Sequence, residues 1–258
     1  MYKFENKTVV VTGGGSGMGK ATALRLVEEG ATVAILDLRF EAAKEVAGEI
    51  NAQGHQGKAI AFEADVANND AVESAINAVV EEAGGIYGLV NCAGIALGEG
   101  GVVDCTESAW DKTMDVNVKS IYLTGKYAIP HIIAGGGGSV VNIASVFGFV
   151  VNKDECAYAA SKGAVVNLTR QMALQHAEDK VRVNAVCPSD ADTPLIASLL
   201  GTSGAELEAG KKELAAPIPM GHLAKVEDIA DVIVYLLSDQ SKFVTGVNLP
   251  VDGGFLLQ

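Results

Sequence analysis

A tyrosine and a lysine stand four positions apart, at Tyr158 and Lys162. On a helix this spacing places both side chains on one face. A nearby ammonium group favours the phenolate and lowers the tyrosine pKa from about 10, so that tyrosine can act as an acid or base near neutral pH. The pair alone is a weak signal, because a half-buried tyrosine beside a solvated lysine has the same spacing.

Ser145 supports the chemical interpretation of this pair. It follows the apolar run 140–143, which predicts a buried strand. Ser145 would then lie at the carboxyl end of the strand, where open parallel sheets bind their ligands. There its hydroxyl could donate a hydrogen bond to a substrate carbonyl oxygen, or it could simply cap a turn.

A second candidate site is the glycine-rich stretch 12–19, which lies between an apolar strand at 8–12 and a predicted helix at 19–29. The stretch nearly matches a P-loop, but Ala21 stands where a P-loop needs a serine or threonine. The alternative is a dinucleotide loop, whose glycines let the backbone approach a pyrophosphate at a helix N-terminus. A plain turn between strand and helix is the third interpretation, and the flanking strand and helix together with Asp37 argue against it.

The dinucleotide interpretation requires an acidic residue about 20 positions further on, at the end of the second strand. Asp37 follows the apolar run 32–36 and meets this requirement. Its carboxylate would bind a ribose 2′-hydroxyl and repel a 2′-phosphate, so NAD is the predicted cofactor. Arg39 could bind a 2′-phosphate, which leaves NADP as the alternative, although a solvated arginine is the simpler interpretation.

Short β-branched runs alternate with helical patterns along the chain, without a linker or repeat. Such alternation predicts parallel strands, and their continuous apolar runs predict a sheet covered on both faces. We expect one α/β domain over residues 1–258, with a Rossmann-type, doubly wound parallel β-sheet. Long helices are expected at 107–133 and 158–176. Residues 188–220 are expected to form a substrate-binding loop or lid.

The composition excludes several classes of function. The formal net charge is −13, which argues against nucleic-acid or anionic-membrane partners and leaves a small molecule as the expected one. No apolar run reaches the length of a membrane span, and the N-terminus lacks the apolar run of a signal peptide. The four cysteines and four histidines lack metal-binding spacings, so no metal is expected. Unpaired cysteines favour a reducing cytoplasm.

In their order, these motifs resemble the classical short-chain dehydrogenase/reductase family over nearly the whole chain. The resemblance rests on these segments: Thr12-Gly13-x-x-x-Gly17-x-Gly19, Asp65-Val66, Asn91-Cys92-Ala93-Gly94, Ser145 with the Tyr158–Lys162 pair, and Asp252-Gly253-Gly254. The expected catalytic residues are Asn117, Ser145, Tyr158 and Lys162. The expected cofactor-binding residues are Gly13, Ser16, Gly17, Met18, Gly19, Asp37, Leu38, Asp65, Val66, Asn91, Ala93, Gly94, Tyr158, Lys162, Pro188 and Thr193.

The resemblance implies hydride transfer between a secondary alcohol carbon and the nicotinamide of NAD. Tyr158 would exchange the hydroxyl proton, and Lys162 would lower its pKa and hold the nicotinamide ribose. Ser145 would position the C–O group, and Asn117 would complete a proton relay to solvent. Members of the family commonly form tetramers through their long helices, so a homotetramer is expected.

The chain departs from the family pattern after the predicted sixth strand, at 188–193. Ser189 replaces a usual glycine, which raises the question of the local backbone geometry. Asp190 replaces a usual apolar pocket residue, and Glu155 lies three positions before Tyr158. Two carboxylates in a pocket would suit an amino alcohol or a polyol, whereas on loops both would simply face water. The expected substrate residues are Ser145, Phe147, Glu155, Tyr158 and Asp190.

Two other functions remain as alternatives. A protein of this fold could bind a dinucleotide without catalysis, but nothing structural requires Ser145, Tyr158 and Lys162 together. Relatives that eliminate halide from halohydrins carry arginine at the position of Lys162 and lose the dinucleotide loop. The sequence therefore favours an NAD-dependent oxidoreductase, with an NADP-dependent ketone reductase as a variant.

Overall fold

A computed structural model describes residues 3–98 and 100–258, in which strands and helices alternate. No helix in these residues is long and apolar enough to cross a membrane. The strands are β1 (Thr8–Thr12), β2 (Thr32–Asp37), β3 (Lys58–Glu63), β4 (Gly88–Asn91), β5 (Gly138–Ile143), β6 (Val181–Pro188) and β7 (Asn248–Val251). The helices are α1 (Gly17–Glu28), α2 (Phe40–Ala52), α3 (Asn69–Ala83), α4 (Glu107–Met114), α5 (Ser120–Ala134), α6 (Cys156–His176), α7 (Pro194–Leu200), α8 (Gly204–Ala215) and α9 (Val226–Leu237).

All strands pair in parallel, in the order β3-β2-β1-β4-β5-β6-β7. The chain builds the sheet outward from β1 to β3 and then returns to add β4 on the other side of β1. Such a reversal opens a crevice at the carboxyl ends of the two central strands. The predicted Rossmann-type sheet is confirmed.

Alternate residues of β1 point to opposite faces of the sheet. Val10 belongs to a buried cluster that includes residues of α3, α5 and α6. Val9 and Val11 belong to a second cluster, with residues of α1, α2 and α9. Because both clusters exclude water, the strands carry apolar residues at consecutive positions rather than at every second one. The expectation of helices on both faces is confirmed.

The structure corrects the expected helix at 107–133. It consists of α4, a π-helical turn at Asp115–Lys119, and α5. A π turn admits one extra residue into a helix, and such turns often occur at functional sites. An apolar pattern read over the whole segment does not reveal this insertion.

The structure also corrects the expected loop at 188–220, because α7 and α8 lie within it. Pro194 is the first residue of α7, a position where proline loses no helical hydrogen bond. The sequence of α8 is rich in alanine, glutamate, leucine and lysine, which are good helix formers. Ala215 is its only buried residue among those described, so α8 lacks the apolar stripe that identifies a helix.

Candidate active site

The glycine loop between β1 and α1 keeps its backbone clear of side chains. Gly13 and Gly17 have left-handed φ angles of +64° and +52°, which other residues rarely adopt. A Cβ atom on Gly19 would lie 2.3 Å from the carbonyl oxygen of Gly13. One on Gly13 would lie 2.9 Å from the backbone of Ala93. Each of these close approaches requires glycine.

The first turn of α1 offers free amides to a ligand. The helix begins at Gly17, two residues before its predicted start. Ser16 is the N-cap residue, but its side chain makes no capping hydrogen bond in the described structure. The first N–H groups of a helix have no partners within it, and the helix dipole is positive at this end. The loop and the helix end therefore fit a pyrophosphate group.

Asp37 lies at the end of β2, close to the glycine loop. Its carboxylate accepts hydrogen bonds from the amide of Gly15 at 2.9 Å and from the amide of Arg39 at 3.0 Å. The Arg39 guanidinium lies 3.8 Å from the same carboxylate, and it donates to Ser16 Oγ at 3.4 Å. The acidic side chain thus stands where the ribose of an adenosine at this loop would lie.

A groove of about 1210 Å³ extends from the glycine loop along the ends of β2, β3 and β4. It gathers most of the residues that the sequence suggests for cofactor binding, although they come from distant segments. The groove is lined, among others, by Gly13, Ser16, Gly17, Met18, Gly19, Asp37, Leu38, Asp65, Val66, Ala93, Gly94 and Thr193.

Asn91 is the one expected cofactor residue that lines neither the groove nor the neighbouring cavity, which is lined by Tyr158, Lys162 and Pro188. Its side chain is buried and donates to Asn142 Oδ1 at 2.9 Å, while it accepts from Thr124 Oγ1 at 2.8 Å. Asn142 donates in turn to Thr169 Oγ1 at 3.0 Å. This buried chain of hydrogen bonds joins β4, β5, α5 and α6 beneath the site, so the Asn91 side chain lies in the core and not in the groove.

Ser145 follows β5, and its buried hydroxyl lies at the edge of a second cavity. The hydroxyl accepts a hydrogen bond from the amide of Phe147 at 3.2 Å and thereby caps a short 3-10 turn. It also donates to the carbonyl oxygen of Pro188 at 3.5 Å. The capping bond fixes the hydroxyl at the cavity wall, so the capping and positioning interpretations are compatible.

Tyr158 and Lys162 lie one turn apart on α6 and both line this cavity. Lys162 Nζ lies 5.4 Å from the centroid of the Tyr158 ring. The same nitrogen donates to the carbonyl oxygen of Ile143 at 2.9 Å. Lys162 is buried, and this burial lowers its pKa to about 8. A cation so poorly hydrated acts strongly on its neighbours.

Asn117 lies in the π turn and connects two parts of the site. Its Oδ1 accepts from the amide of Ile95 at 2.8 Å, and its Nδ2 donates to the Ile95 carbonyl oxygen at 2.9 Å. Nδ2 also donates to Ser161 Oγ at 3.0 Å. The Asn117 amide therefore ties the segment after β4 to the helix that carries Tyr158.

The second cavity, called here the cleft, is open to solvent and has a volume of about 740 Å³; it joins the groove at Met18, Gly94 and Thr193. Glu155 and Asp190 line it together with Ser145, Tyr158 and Lys162, whereas Asn117 does not line it. The Phe147 ring, also in its wall, meets the Tyr158 ring edge-on, with centroids 6.3 Å apart. Burial raises the pKa of Asp190. Both acids thus face the cleft rather than open water.

An apolar wall of the cleft was missed by the sequence reasoning. It is formed by Leu195, Ile196 and Leu199 of α7, with Ile95 and Ala96 after β4. Proline followed by several apolar residues at 194–199 was the available signal, because proline commonly opens a helix. The wall makes one side of the cleft suitable for hydrocarbon.

The segment after β6 resolves the question that Ser189 raised. Asn6 and Lys180 are the only described non-glycine residues with a positive φ, so Ser189 needs no glycine-specific conformation. Asp190 and Ala224 are joined by a backbone hydrogen bond of 3.1 Å, and Asp192 donates to Ala224 at 2.9 Å. These bonds fix the segment against the loop before α9.

Comparisons with known proteins agree with this geometry. A family model described as Enoyl-(Acyl carrier protein) reductase matches residues 13–256. Cyclohexanol dehydrogenase of Acinetobacter sp. is 38% identical over 98% of this chain and 96% of its own length. Meso-2,3-butanediol dehydrogenase of Serratia marcescens is 40% identical over 98% and 95%, respectively.

A crystal structure of a short-chain type dehydrogenase/reductase from Mycobacterium marinum superposes with a TM-score of 0.91 at 31% identity. It covers 99% of this chain and 98% of the other. The parallel sheet with its groove and cleft defines a dinucleotide-dependent oxidoreductase. The chain belongs to the short-chain dehydrogenase/reductase family, as its motifs suggested.

Proposed function

We propose that this protein is an NAD-dependent dehydrogenase that interconverts a secondary alcohol and the corresponding ketone. The observation that carries the proposal is the Lys162 ammonium group, 5.4 Å from the centre of the Tyr158 ring, in a cleft continuous with the nucleotide groove. The relatives named for cyclohexanol and meso-2,3-butanediol support the same substrate class.

Tyr158 is the proposed acid and base. Bound NAD supplies the hydride acceptor for oxidation, and its reduced form supplies the hydride donor for reduction. During oxidation Tyr158 takes the hydroxyl proton while the carbinol carbon loses hydride, and during reduction Tyr158 returns the proton to the new alkoxide oxygen. Lys162 favours the phenolate by its charge, which makes this transfer accessible near neutral pH.

Ser145 and Asn117 have different proposed roles. The Ser145 hydroxyl accepts from Phe147, and its proton makes only a long hydrogen bond of 3.5 Å to the Pro188 carbonyl oxygen, which a substrate oxygen would replace. The Asn117 amide is engaged with Ile95 and Ser161, so we assign its side chain to positioning α6. A part in a proton relay to solvent remains a prediction for Asn117.

Asp37 supports NAD as the cofactor. Its carboxylate lies in the groove lining beside the glycine loop, where it would bind ribose hydroxyls and repel a 2′-phosphate. The Arg39 side chain could bind that phosphate, but it is two-thirds exposed and lies beside Asp37. NADP is therefore the alternative that the cofactor measurement must exclude.

Residues 188–220 are the proposed substrate lid, now as a helical element. Leu195, Ile196 and Leu199 of α7 face the cleft. Lys211 of α8 lies 2.9 Å from the carboxylate of Asp192 and so ties α8 to the segment after β6. The lid would close on the side of the cleft where the substrate enters.

A homotetramer in the cytoplasm is the proposed assembly and location. A hollow on the outer surface of α5 and α6 includes the exposed Tyr122, and Leu174 of α6 is 80% exposed. Large apolar side chains on these helices support burial against another copy. Light scattering after size-exclusion chromatography gives the subunit number, and a monomer would contradict the tetramer.

The described cysteines are all free thiols, which supports the cytoplasm, a reducing compartment, as the proposed location.

The direct test is cofactor-linked oxidation of cyclohexanol and 2,3-butanediol by the purified protein, followed as NADH or NADPH formation. We expect turnover with NAD⁺ and kcat/KM at least about tenfold lower with NADP⁺, since Asp37 repels the extra phosphate. A preference for NADP⁺ would overturn the assignment of Asp37. Absence of turnover with these alcohols and with amino alcohols, while dinucleotide binding is intact, would support the non-catalytic alternative.

A further inference from the structure

The lining of the cleft contains two acidic side chains and one basic side chain. Its charged residues are Glu155, Lys162 and Asp190. The Lys162 ammonium is committed to the Ile143 carbonyl oxygen and to the neighbourhood of the Tyr158 ring. Lys162 is therefore not available to pair with Asp190, whose negative charge remains in the substrate region.

Asp190 is the less compensated of the two acids. In the described structure its carboxylate makes no ion pair and no side-chain hydrogen bond, and burial alone accounts for its raised pKa. Its backbone is held by the bond from Ala224, so the side chain cannot leave the cleft by a free movement of the loop. A partly desolvated carboxylate of this kind is costly without a ligand.

Ser189 provides an independent observation at the same wall. It also lines the cleft, it is 8% exposed, and its hydroxyl oxygen has no hydrogen-bond partner among the described residues. Buried hydroxyl groups in folded proteins usually have partners. A polar ligand group beside Asp190 would satisfy both side chains.

We propose that the alcohol substrate carries an ammonium group, which Asp190 binds while Ser145 and Tyr158 hold the hydroxyl group. The inference rests on the proposed function and specifies its substrate class. An ammonium group donates hydrogen bonds and also neutralises the carboxylate, whereas a second hydroxyl would leave the desolvated charge in place. The apolar wall of α7 then receives the hydrocarbon part of the amino alcohol.

Matched substrates separate charge from shape. The first series is 1-amino-2-propanol, 2-butanol and 1,2-propanediol, which have equal numbers of heavy atoms and differ at one terminal group. The second is 4-aminocyclohexanol, 4-methylcyclohexanol and cyclohexane-1,4-diol. For the wild-type protein with NAD⁺ we expect the largest kcat/KM for the amino alcohol in the series that fits the cleft.

The isosteric variant Asp190→Asn tests the assignment. We expect the ratio of kcat/KM for the amino alcohol to that for the neutral alkyl alcohol to fall at least about tenfold, because a desolvated charge pair is lost. Asp154→Asn is the matched control, since it removes an equal charge from an exposed position that lines neither the cleft nor the groove. Glu155→Gln shows whether the second acid contributes.

The outcomes are distinguishable. An unchanged ratio in Asp190→Asn, or an equal fall in Asp154→Asn, would overturn the role of Asp190. A wild-type preference for the diol or the alkyl alcohol would overturn the ammonium group while leaving the dehydrogenase intact. No NADH or NADPH from any compound of either series would instead contradict the proposed function.

Discussion

The groove and the cleft meet at Met18 and Gly94, but different parts of the chain shape them. The groove is shaped by backbone, since the close approaches of Gly13 and Gly19 leave no space for a Cβ atom. The cleft is shaped by side chains of separate segments, as Ser145, Tyr158 and Asp190 illustrate. A backbone site recognises what all dinucleotides share, whereas a side-chain site can change its substrate by single substitutions.

This difference predicts that one side-chain substitution in the cleft can stop turnover. Lys162→Met removes the cation beside Tyr158, and we expect turnover to fall about 1000-fold, within the range of general acid–base catalysis. Lys153→Met, at an exposed position shortly before α6, should keep normal turnover. Steady-state kinetics check both variants, and near-normal activity of Lys162→Met would remove the lysine from the mechanism.

Lys162 should lower the free energy of unfolding when its buried side chain is charged. Burial lowers its pKa from the ordinary value of 10.5 to about 8, so between these values the unfolded chain keeps a proton that the folded chain has lost. The free energy of unfolding therefore gains a contribution that rises with pH over this window. Relative to Lys162→Met, the wild-type protein should gain at most about 3 kcal/mol.

Denaturant unfolding at about pH 7.5 and about pH 10.5 measures this gain. The comparison cancels titrations common to both proteins. The buried thiol Cys187 stays protonated over this window, because burial raises its pKa to about 12. Identical pH dependence of the two proteins would show that Lys162 is not desolvated in the folded state.

The groove should respond to a single methyl group. In Gly19→Ala the new Cβ meets the Gly13 carbonyl oxygen, so the loop must shift, and we expect NADH affinity to fall about 10- to 100-fold. Gly163→Ala is the matched control, because a Cβ there meets no atom within 4 Å. Fluorescence titration with NADH measures both, and equal affinities would contradict a backbone-built groove.

We expect cofactor choice in the groove to depend on the Asp37 side chain. In Asp37→Ser the repulsion of a 2′-phosphate is lost, and Arg39 becomes free to bind it. We expect the ratio of kcat/KM for NAD⁺ to that for NADP⁺ to fall about tenfold, as one charge contact in a solvated groove permits. Arg39→Ser should move the ratio in the opposite direction. No change in either variant would place the discrimination elsewhere.

The same contrast explains what the sequence could predict. The parallel sheet and the groove follow from local patterns: apolar strands, a glycine loop and an acid at the end of β2. The π turn around Asn117 could not be predicted from the sequence, because one inserted residue leaves the apolar pattern almost unchanged. Helix α8 could not be predicted either, because its residues favour a helix but show no apolar stripe.

Side-chain orientation was the other limit. Asn91 shares its segment with groove residues, yet it points into the core to bind Asn142 and Thr124. Glu155 and Asp190 could have faced water on their loops, and only the tertiary structure places them in the cleft. Sequence spacing identifies residues that share an element, whereas contacts between separate segments require the packed chain.

The most direct test of the account is a parallel measurement of NADH binding and alcohol oxidation in the Tyr158→Phe variant. This change removes the phenolic oxygen and keeps the ring that packs against Phe147. We predict that turnover falls at least about 1000-fold while NADH affinity stays within about twofold of wild type. Retained turnover, or an equal loss of binding and turnover, would contradict the assignment of proton transfer to Tyr158.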